Sequence, residues 1–249
     1  MKHNTIIIVI LFLTSCTLTA QINTDRPDQT ESSSTVPKGA LQVETGFQLN
    51  YTAVDEVSIK TTATPNNLFR YGITKGFELR MVSQYESFSV FDFTESGISD
   101  LEIGFKAQLF KKEGSNTEVA FLSHLIVPSG STQFTLDNYG TINRFLISHQ
   151  LSEDINLGYN IGYDYLGTGN GNLTYTLALG KAINDKWGLY AEPYGELFDM
   201  EEFILNFDAG ITYLLNNNIQ FDFSFGTGIT DRMNYVALGV SWLMESQKN

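Results

Sequence analysis

The chain has 249 residues, with 15 Lys plus Arg against 28 Asp plus Glu, a net charge of -13. That acidity excludes a nucleic-acid protein, because phosphate recognition needs a basic surface. One cysteine excludes a disulfide scaffold, and 13% aromatic residues with only 17% charged residues exclude a disordered chain.

Residues 1–20 read as an export leader. A short positive start with Lys2 precedes the apolar run TIIIVILFL at 5–13, and small residues follow up to Ala20. The run is shorter than the about 20 apolar residues that a membrane-anchoring helix needs, and its order is that of a secretory signal. Cleavage after Ala20 leaves Gln21 first. The box Leu13-Thr14-Ser15-Cys16 offers the alternative of a lipidated Cys16. Residues 21–39 follow as a polar, turn-rich arm with Pro27 and Pro37.

From Leu41 the chain changes period. Leu41, Val43, Phe47, Leu49 and Tyr51 alternate with Gln42, Glu44, Gly46, Gln48 and Asn50. The same two-residue repeat runs through 101–109, 155–163, 203–213 and 219–226, which is the signature of β-strands. Filling in the weaker stretches predicts strands at 41–51, 66–74, 77–88, 99–110, 117–127, 141–150, 154–165, 172–182, 187–198, 203–214, 218–228 and 234–243. Their length suits a tilted strand crossing a bilayer. Short turns are expected at 74–76, 110–116, 152–153, 184–186 and 215–217. Longer connections are expected at 52–65, 90–98, 128–140 and 166–171, with 199–202 a short exception. The two kinds alternate, as they do in a barrel with short periplasmic turns and longer outer loops.

Low charge density, aromatic enrichment and a polar set rich in Gly, Asn, Gln, Ser and Thr assign the apolar face to lipid. The expectation is therefore an all-β protein: a closed antiparallel transmembrane β-barrel of about twelve strands over 40–249. Tyr51, Phe77, Tyr163, Tyr165, Trp187, Tyr213, Tyr235 and Trp242 lie near strand ends, where aromatic belts form.

Several stretches carry a family resemblance. They are NTDRPDQTES at 23–32, VPKG at 36–39, LQVETGF at 41–47, LFRYGI at 68–73, FELR at 77–80, SDLEIGFK at 99–106 and TDR at 230–232. Together they resemble a family of bacterial outer-membrane β-barrels described as transporters or as meta-pathway phenol-degradation proteins. The resemblance spans nearly the whole chain after the leader. It implies an outer-membrane location in a Gram-negative bacterium, with outer-membrane lipid and the barrel-assembly machinery as partners. It also implies passage of a small solute, hydrophobic or aromatic solutes among the candidates. A surface-anchored or periplasmic β-barrel that binds or supports without transport is the alternative. One departure is that Trp242 is followed by seven further residues, whereas such barrels often end on an aromatic residue.

If Leu41, Phe69, Phe77 and Leu101 face lipid, then Glu44, Arg70, Glu78, Arg80, Glu102 and Lys106 face the lumen, since charge facing lipid is costly. Such a set can select solutes by charge or form an ion-pair network that stiffens the barrel. Glu192, Glu196, Asp208 and Asp222 add acid on later strands. Asp25, Arg26, Pro27 and Asp28 form a candidate docking motif, with Arg26 placed to meet lumenal carboxylates or to remain in a solvated tail. Catalysis is not expected. The residues two beyond His124 and His149 are Ile126 and Leu151, and Ser123 and Ser148 point to the face opposite their neighbouring histidines. No cofactor or metal motif is present, and Gly167 to Gly171 reads as a loop.

Overall fold

The computed structural model describes residues 21–54 and 57–245, so the expected leader, its cleavage point and Cys16 lie outside the described residues. Thirteen strands follow in chain order. They are β1 (Leu41–Val54), β2 (Val57–Thr74), β3 (Phe77–Val90), β4 (Phe93–Ile98), β5 (Leu101–Lys111), β6 (Thr117–Val127) and β7 (Gly140–Gln150). The rest are β8 (Ile155–Tyr165), β9 (Asn172–Ala182), β10 (Trp187–Phe198), β11 (Glu202–Asn216), β12 (Ile219–Gly228) and β13 (Arg232–Met244).

All pairings are antiparallel, and β1 closes the ring against β13 from Leu41↔Met244 to Ala53↔Arg232. β4 and β5 share one place in the wall. β4 pairs the outer half of β3 (Tyr85↔Ile98) and β5 pairs its inner half (Val82↔Glu102). The result is a twelve-stranded barrel with β4 as an additional strand. Closure pairs every strand but β4 on both sides, and β4 pairs β3 alone; free backbone groups facing an apolar solvent would otherwise be penalised.

The two-residue period becomes two surfaces. On β12, Phe221, Phe223 and Phe225 point outward while Asp222, Ser224 and Gly226 point in. On β13, Val236, Leu238 and Trp242 point outward while Ala237, Ser241 and Leu243 are buried. Apolar groups thus cover the outside and polar groups the inside, the inverse of a water-soluble barrel. One expected belt residue departs from this. Tyr235 shares the inward parity of β13, is only 4% exposed, and donates its hydroxyl to Asp208.

Two expected connections are strand instead. β1 and β2 run on past the predicted ends and leave only residues 55 and 56 between them, so most of 52–65 pairs in the hairpin. The stretch 90–98 holds the turn at Phe91 and Asp92 and then β4. Val57, Ile59, Thr61 and Thr62 are β-branched and favour a pleated strand even where their neighbours are polar. Pro65 is accommodated because it sits in a bulge between Ala63 and Asn66.

Both chain ends of the barrel and the turns between β2–β3, β5–β6, β7–β8, β9–β10 and β11–β12 lie at one rim. The opposite rim carries the longest loop, 128–139. Asp100, where β4 meets β5, anchors this loop by accepting the backbone N–H groups of Ser129 (2.9 Å), Gly130 (2.8 Å) and Leu136 (2.8 Å). Phe134 of the loop packs on Phe88, with ring centroids 5.7 Å apart. Burial opposes ionisation of Asp100, but the amide donors outweigh it and hold the carboxyl below its ordinary value of 3.8. The carboxylate therefore contributes its anchoring above that value and loses it as pH falls further. Replacing Asp100 with Ala is expected to expose Phe134 and Tyr139 to chymotrypsin at pH 8 in the folded protein. The unaltered protein should resist until acid below that range loosens the loop, read by pepsin cleavage.

Candidate functional site

The arm of residues 21–39 has too few apolar groups to hold itself by hydrophobic burial alone, so its course follows its polar partners. Its two ends are fixed at the rim that carries the short turns. Ile22 and Val36 pack with Ala40, Leu214 and Leu243. The Ile22 N–H donates to the Asn217 carbonyl at 2.8 Å, and the Gly39 N–H to the Gly72 carbonyl at 2.7 Å. The segment between these ends folds up into the lumen as a loop.

Asp25 lies at the centre of that loop. Its carboxylate stands 3.2 Å from Arg70, 2.5 Å from Arg80 and 2.8 Å from Lys106, and all four side chains are at most 2% exposed. Register explains the crowding. Arg70 of β2 and Arg80 of β3 are directly opposite, and like charges facing across strands repel unless acid intervenes. Glu78 bridges the pair, 2.9 Å from Arg70 and 3.0 Å from Arg80. Glu44 of β1 takes Arg70 at 2.9 Å, and its carboxylate also accepts the backbone N–H groups of Asp25 and Arg26. Glu31 of the arm takes Arg80 at 2.8 Å. Burial disfavours the Asp25 carboxylate, but Arg70, Lys106 and Arg80 together hold its pKa well below 3.8.

The remaining residues of the expected set are placed as follows. Glu102 touches neither arginine; it accepts from His124 Nδ1 at 2.8 Å, and His124 Nε2 accepts from Arg80 at 3.0 Å. Arg26 turns along the wall to β12, two strands from β1, where its guanidinium lies 3.3 Å from Asp222. That approach requires Gly46 and Gly239, because a Cβ at either would stand within 2.5 Å of the guanidinium. Pro27 lines a cavity beside the arm. Asp28 meets Glu192 and Asp208 rather than a cation, and burial together with those two charges pushes its carboxyl well above 3.8. Glu196 of β10 accepts from Asn172 at 2.8 Å.

The loop apex crosses to the far strands. The Gln29 N–H donates to Glu192 of β10 at 2.7 Å, and the Thr30 hydroxyl bonds Glu192 and Thr176 of β9. Ser33 meets Ser148 of β7 at 2.6 Å, and Val36 N–H returns to Glu78 at 2.7 Å. The arm thus contacts strands around the whole circumference. Beside it, between the arm and β8–β11, a cavity of about 500 Å³ opens at the short-turn rim.

His124 and Glu31 were not singled out as lumenal partners on sequence grounds. For His124 the signal was available, since it shares the inward parity of Ala120 and Leu122 on β6. Glu31 carried none, because an arm without a period does not reveal which way a side chain points.

A closed antiparallel barrel, apolar outside, polar inside and threaded by its own N-terminal segment, is a porin-like architecture. The chain belongs to the family described as "Putative MetA-pathway of phenol degradation", whose sequence profile matches residues 24–243. Among solved structures it resembles the KdgM porin in complex with disordered oligogalacturonate, with a TM-score of 0.54, 11% identity, and coverage of 81% of this chain and 98% of the porin. It also resembles the β domain of the Bordetella autotransporter BrkA, with a TM-score of 0.51, 11% identity, and coverage of 84% and 100%. At these identities the likeness is one of fold. No curated protein matches the chain significantly in sequence.

Replacing Asp25 with Ala removes the one carboxylate that touches all three cations and leaves Lys106 with Glu31 at 3.6 Å, and breaking a buried ion pair costs about 3–5 kcal/mol. The expected outcome is a lower denaturation midpoint and an arm that becomes cleavable by protease added to the folded barrel. The difference from the unaltered protein should persist at every pH above about 4, because Asp25 stays ionised throughout that range.

Proposed function

We propose that the protein is an outer-membrane channel for a small solute, exported by its N-terminal leader, embedded in lipid by its apolar exterior, and closed at rest by its own arm. The observation that carries this reading is the way the arm is held. It crosses a polar lumen on ion pairs and single hydrogen bonds rather than joining the sheet as a strand, so it can leave without breaking the barrel wall. A barrel of this strand number has a wider interior than the eight-stranded type that side chains fill, and here a peptide segment takes up the difference. Lipid and the assembly machinery of a Gram-negative outer membrane are the partners this reading requires.

Catalysis finds no support in the lumen. Both ring nitrogens of His124 are committed, to Arg80 and Glu102, and the Ser123 hydroxyl lies on the outer face donating to Asn143. A second reading, a permanently closed structural or binding barrel, is favoured by the number of contacts the arm makes.

Planar-bilayer conductance separates the two. The full chain is expected to conduct little, and the chain lacking residues 22–36, or carrying both Asp25→Ala and Arg26→Ala, to open in large steps. Gel mobility that shifts on heating would certify that each variant is folded. Silence from folded variants would establish the closed barrel instead.

A further inference from the structure

The cations outside the lumen divide unequally between the two rims. Among the described residues, Lys38, Lys75, Lys111, Lys112, Lys181 and Lys186 lie at the rim of short turns. Arg144 faces inward and pairs with Asp164 at 2.8 Å. Lys60 of β2 and Arg232 of β13 are the two described cations exposed at the opposite rim, and neither has an ion pair among the described residues. The acids Asp92, Asp137, Glu201, Glu202 and Asp231 are exposed at that rim as well. Against such a background, the placement of the two cations is informative.

Register puts them on one face and close together. Thr227 of β12, Asn234 of β13, Tyr51 of β1, Lys60 of β2, Ser89 of β3 and Thr94 of β4 form one rung. Arg232, Ala53 and Ser58 form the next rung of that face, nearer the rim. Asn234 shares the parity of Val236 and Leu238, and Thr227 that of Phe225, so this is the outer face of the wall. With β1 between them, the Lys60 and Arg232 backbones stand about 12 Å apart, within reach of one ligand for two long side chains. On these two rungs the apolar set Phe223, Phe225, Val236 and Leu238 gives way to hydroxyl, amide and cationic groups.

A groove of about 540 Å³ opens at this place, between the β1–β2 hairpin and the turn from β12 to β13. Tyr51, Ser58, Thr227, Thr230, Arg232 and Asn234 line it. Its turn wall is held in advance of any ligand. The Thr230 N–H donates to the Leu205 carbonyl at 3.2 Å, and the Leu205 N–H donates to the Thr230 hydroxyl at 3.0 Å. Asp231 also borders the groove; its carboxylate accepts the Thr230 hydroxyl at 3.1 Å. Tyr51 is 46% exposed, which leaves a ring face open.

Each part of the groove selects a part of a ligand. An arginine and a lysine without ion pairs select an anion, and the guanidinium fork matches phosphate. An open tyrosine ring framed by hydroxyls and an amide suits a sugar, which stacks on the ring and bonds the polar groups. Continuity with the apolar outer face gives a lipid tail its place beside Phe225 and Val236. We infer that this groove binds the headgroup of a phosphorylated glycolipid in the outer leaflet, its phosphate on Arg232 and Lys60 and its sugar against Tyr51. The acids elsewhere on the rim repel such a headgroup, which confines the contact to this sector. The inference rests on the outer-membrane reading and is independent of whether a solute crosses the lumen.

The test is native mass spectrometry of the folded full-length protein in detergent. It is titrated with a synthetic lipid bearing a bisphosphorylated glucosamine disaccharide, with the same lipid lacking phosphates, and with phosphatidylglycerol. Saturable binding of the phosphorylated glycolipid is expected, about tenfold or more tighter than either of the others. Arg232→Gln and Lys60→Gln change exposed side chains that hold no ion pair, so the fold is spared. Each should weaken binding about tenfold, the worth of one hydrogen bond to a charge. Lys186→Gln, at the other rim, should leave binding unchanged. Equal binding of the lipid without phosphates, or of phosphatidylglycerol, overturns the inference by removing the phosphate or the sugar from it. Displacement by an equal concentration of free glucose phosphate overturns the lipid-borne source. Absence of binding, or binding that both variants leave intact, overturns the site. Membrane fractionation tests the outer-membrane reading separately: a barrel recovered in that membrane that does not bind the lipid loses this site alone.

Discussion

Three cations point into a space sealed from bulk water, and a single carboxylate on a separate segment touches all of them. The contacts of Asp25 with Arg70, Arg80 and Lys106 hold the arm inside the lumen. The barrel wall alone offers Glu44 and Glu78 beside these cations. Two carboxylates against three cations leave an uncompensated charge in a low-dielectric interior, which is expensive. Docking the arm adds Asp25 and Glu31 and brings backbone N–H groups to Glu44 and Glu78. Buried ion clusters are weak contributors to net stability, because desolvation consumes much of their attraction. Their effect here is positional: they hold one segment in one place.

That arrangement also explains the use of small residues in the lumen. Gly46 and Gly239 do not leave the channel wide; they make room for the Arg26 guanidinium. A polar, glycine-rich inner face is therefore ambiguous in sequence. It fits an open pore and equally a lumen shaped around an inserted peptide. At Gly46 and Gly239 the structure shows the second.

The two halves of the interior differ in kind. Near β1–β5 Arg70, Arg80 and Lys106 are met by Asp25, Glu31, Glu44 and Glu78. Near β10–β12 Glu192 and Asp208 face each other with no cation ion-paired to either among the described residues. The arm lies between these halves and contacts both, Asp25 at Arg70, Arg80 and Lys106 and Gln29 at Glu192. The acidic corner thus holds the same short segment that the cation cluster holds, through Gln29 and Thr30 on Glu192.

The strand period and the closed all-β barrel were legible in the sequence because they are local or periodic. A two-residue repeat sorts side chains onto two faces whatever the rest of the chain does. Parity likewise puts Glu44, Arg70, Glu78, Arg80 and Lys106 on one face. The two long hairpins at 52–65 and 90–98 were not legible, since polar composition masked residues that favour strand. Tyr235 went to the wrong face because an aromatic near a strand end suits a belt and a buried hydrogen bond equally. The arm lay furthest beyond reach. It has no period, and Asp25 meets Arg80 across 55 residues of chain. Sequence by itself determined which residues share a face, since backbone geometry enforces that over neighbouring positions. Only tertiary structure decided which charge meets which, because ion pairing depends on distances that exist after the ring has closed and the arm has entered it.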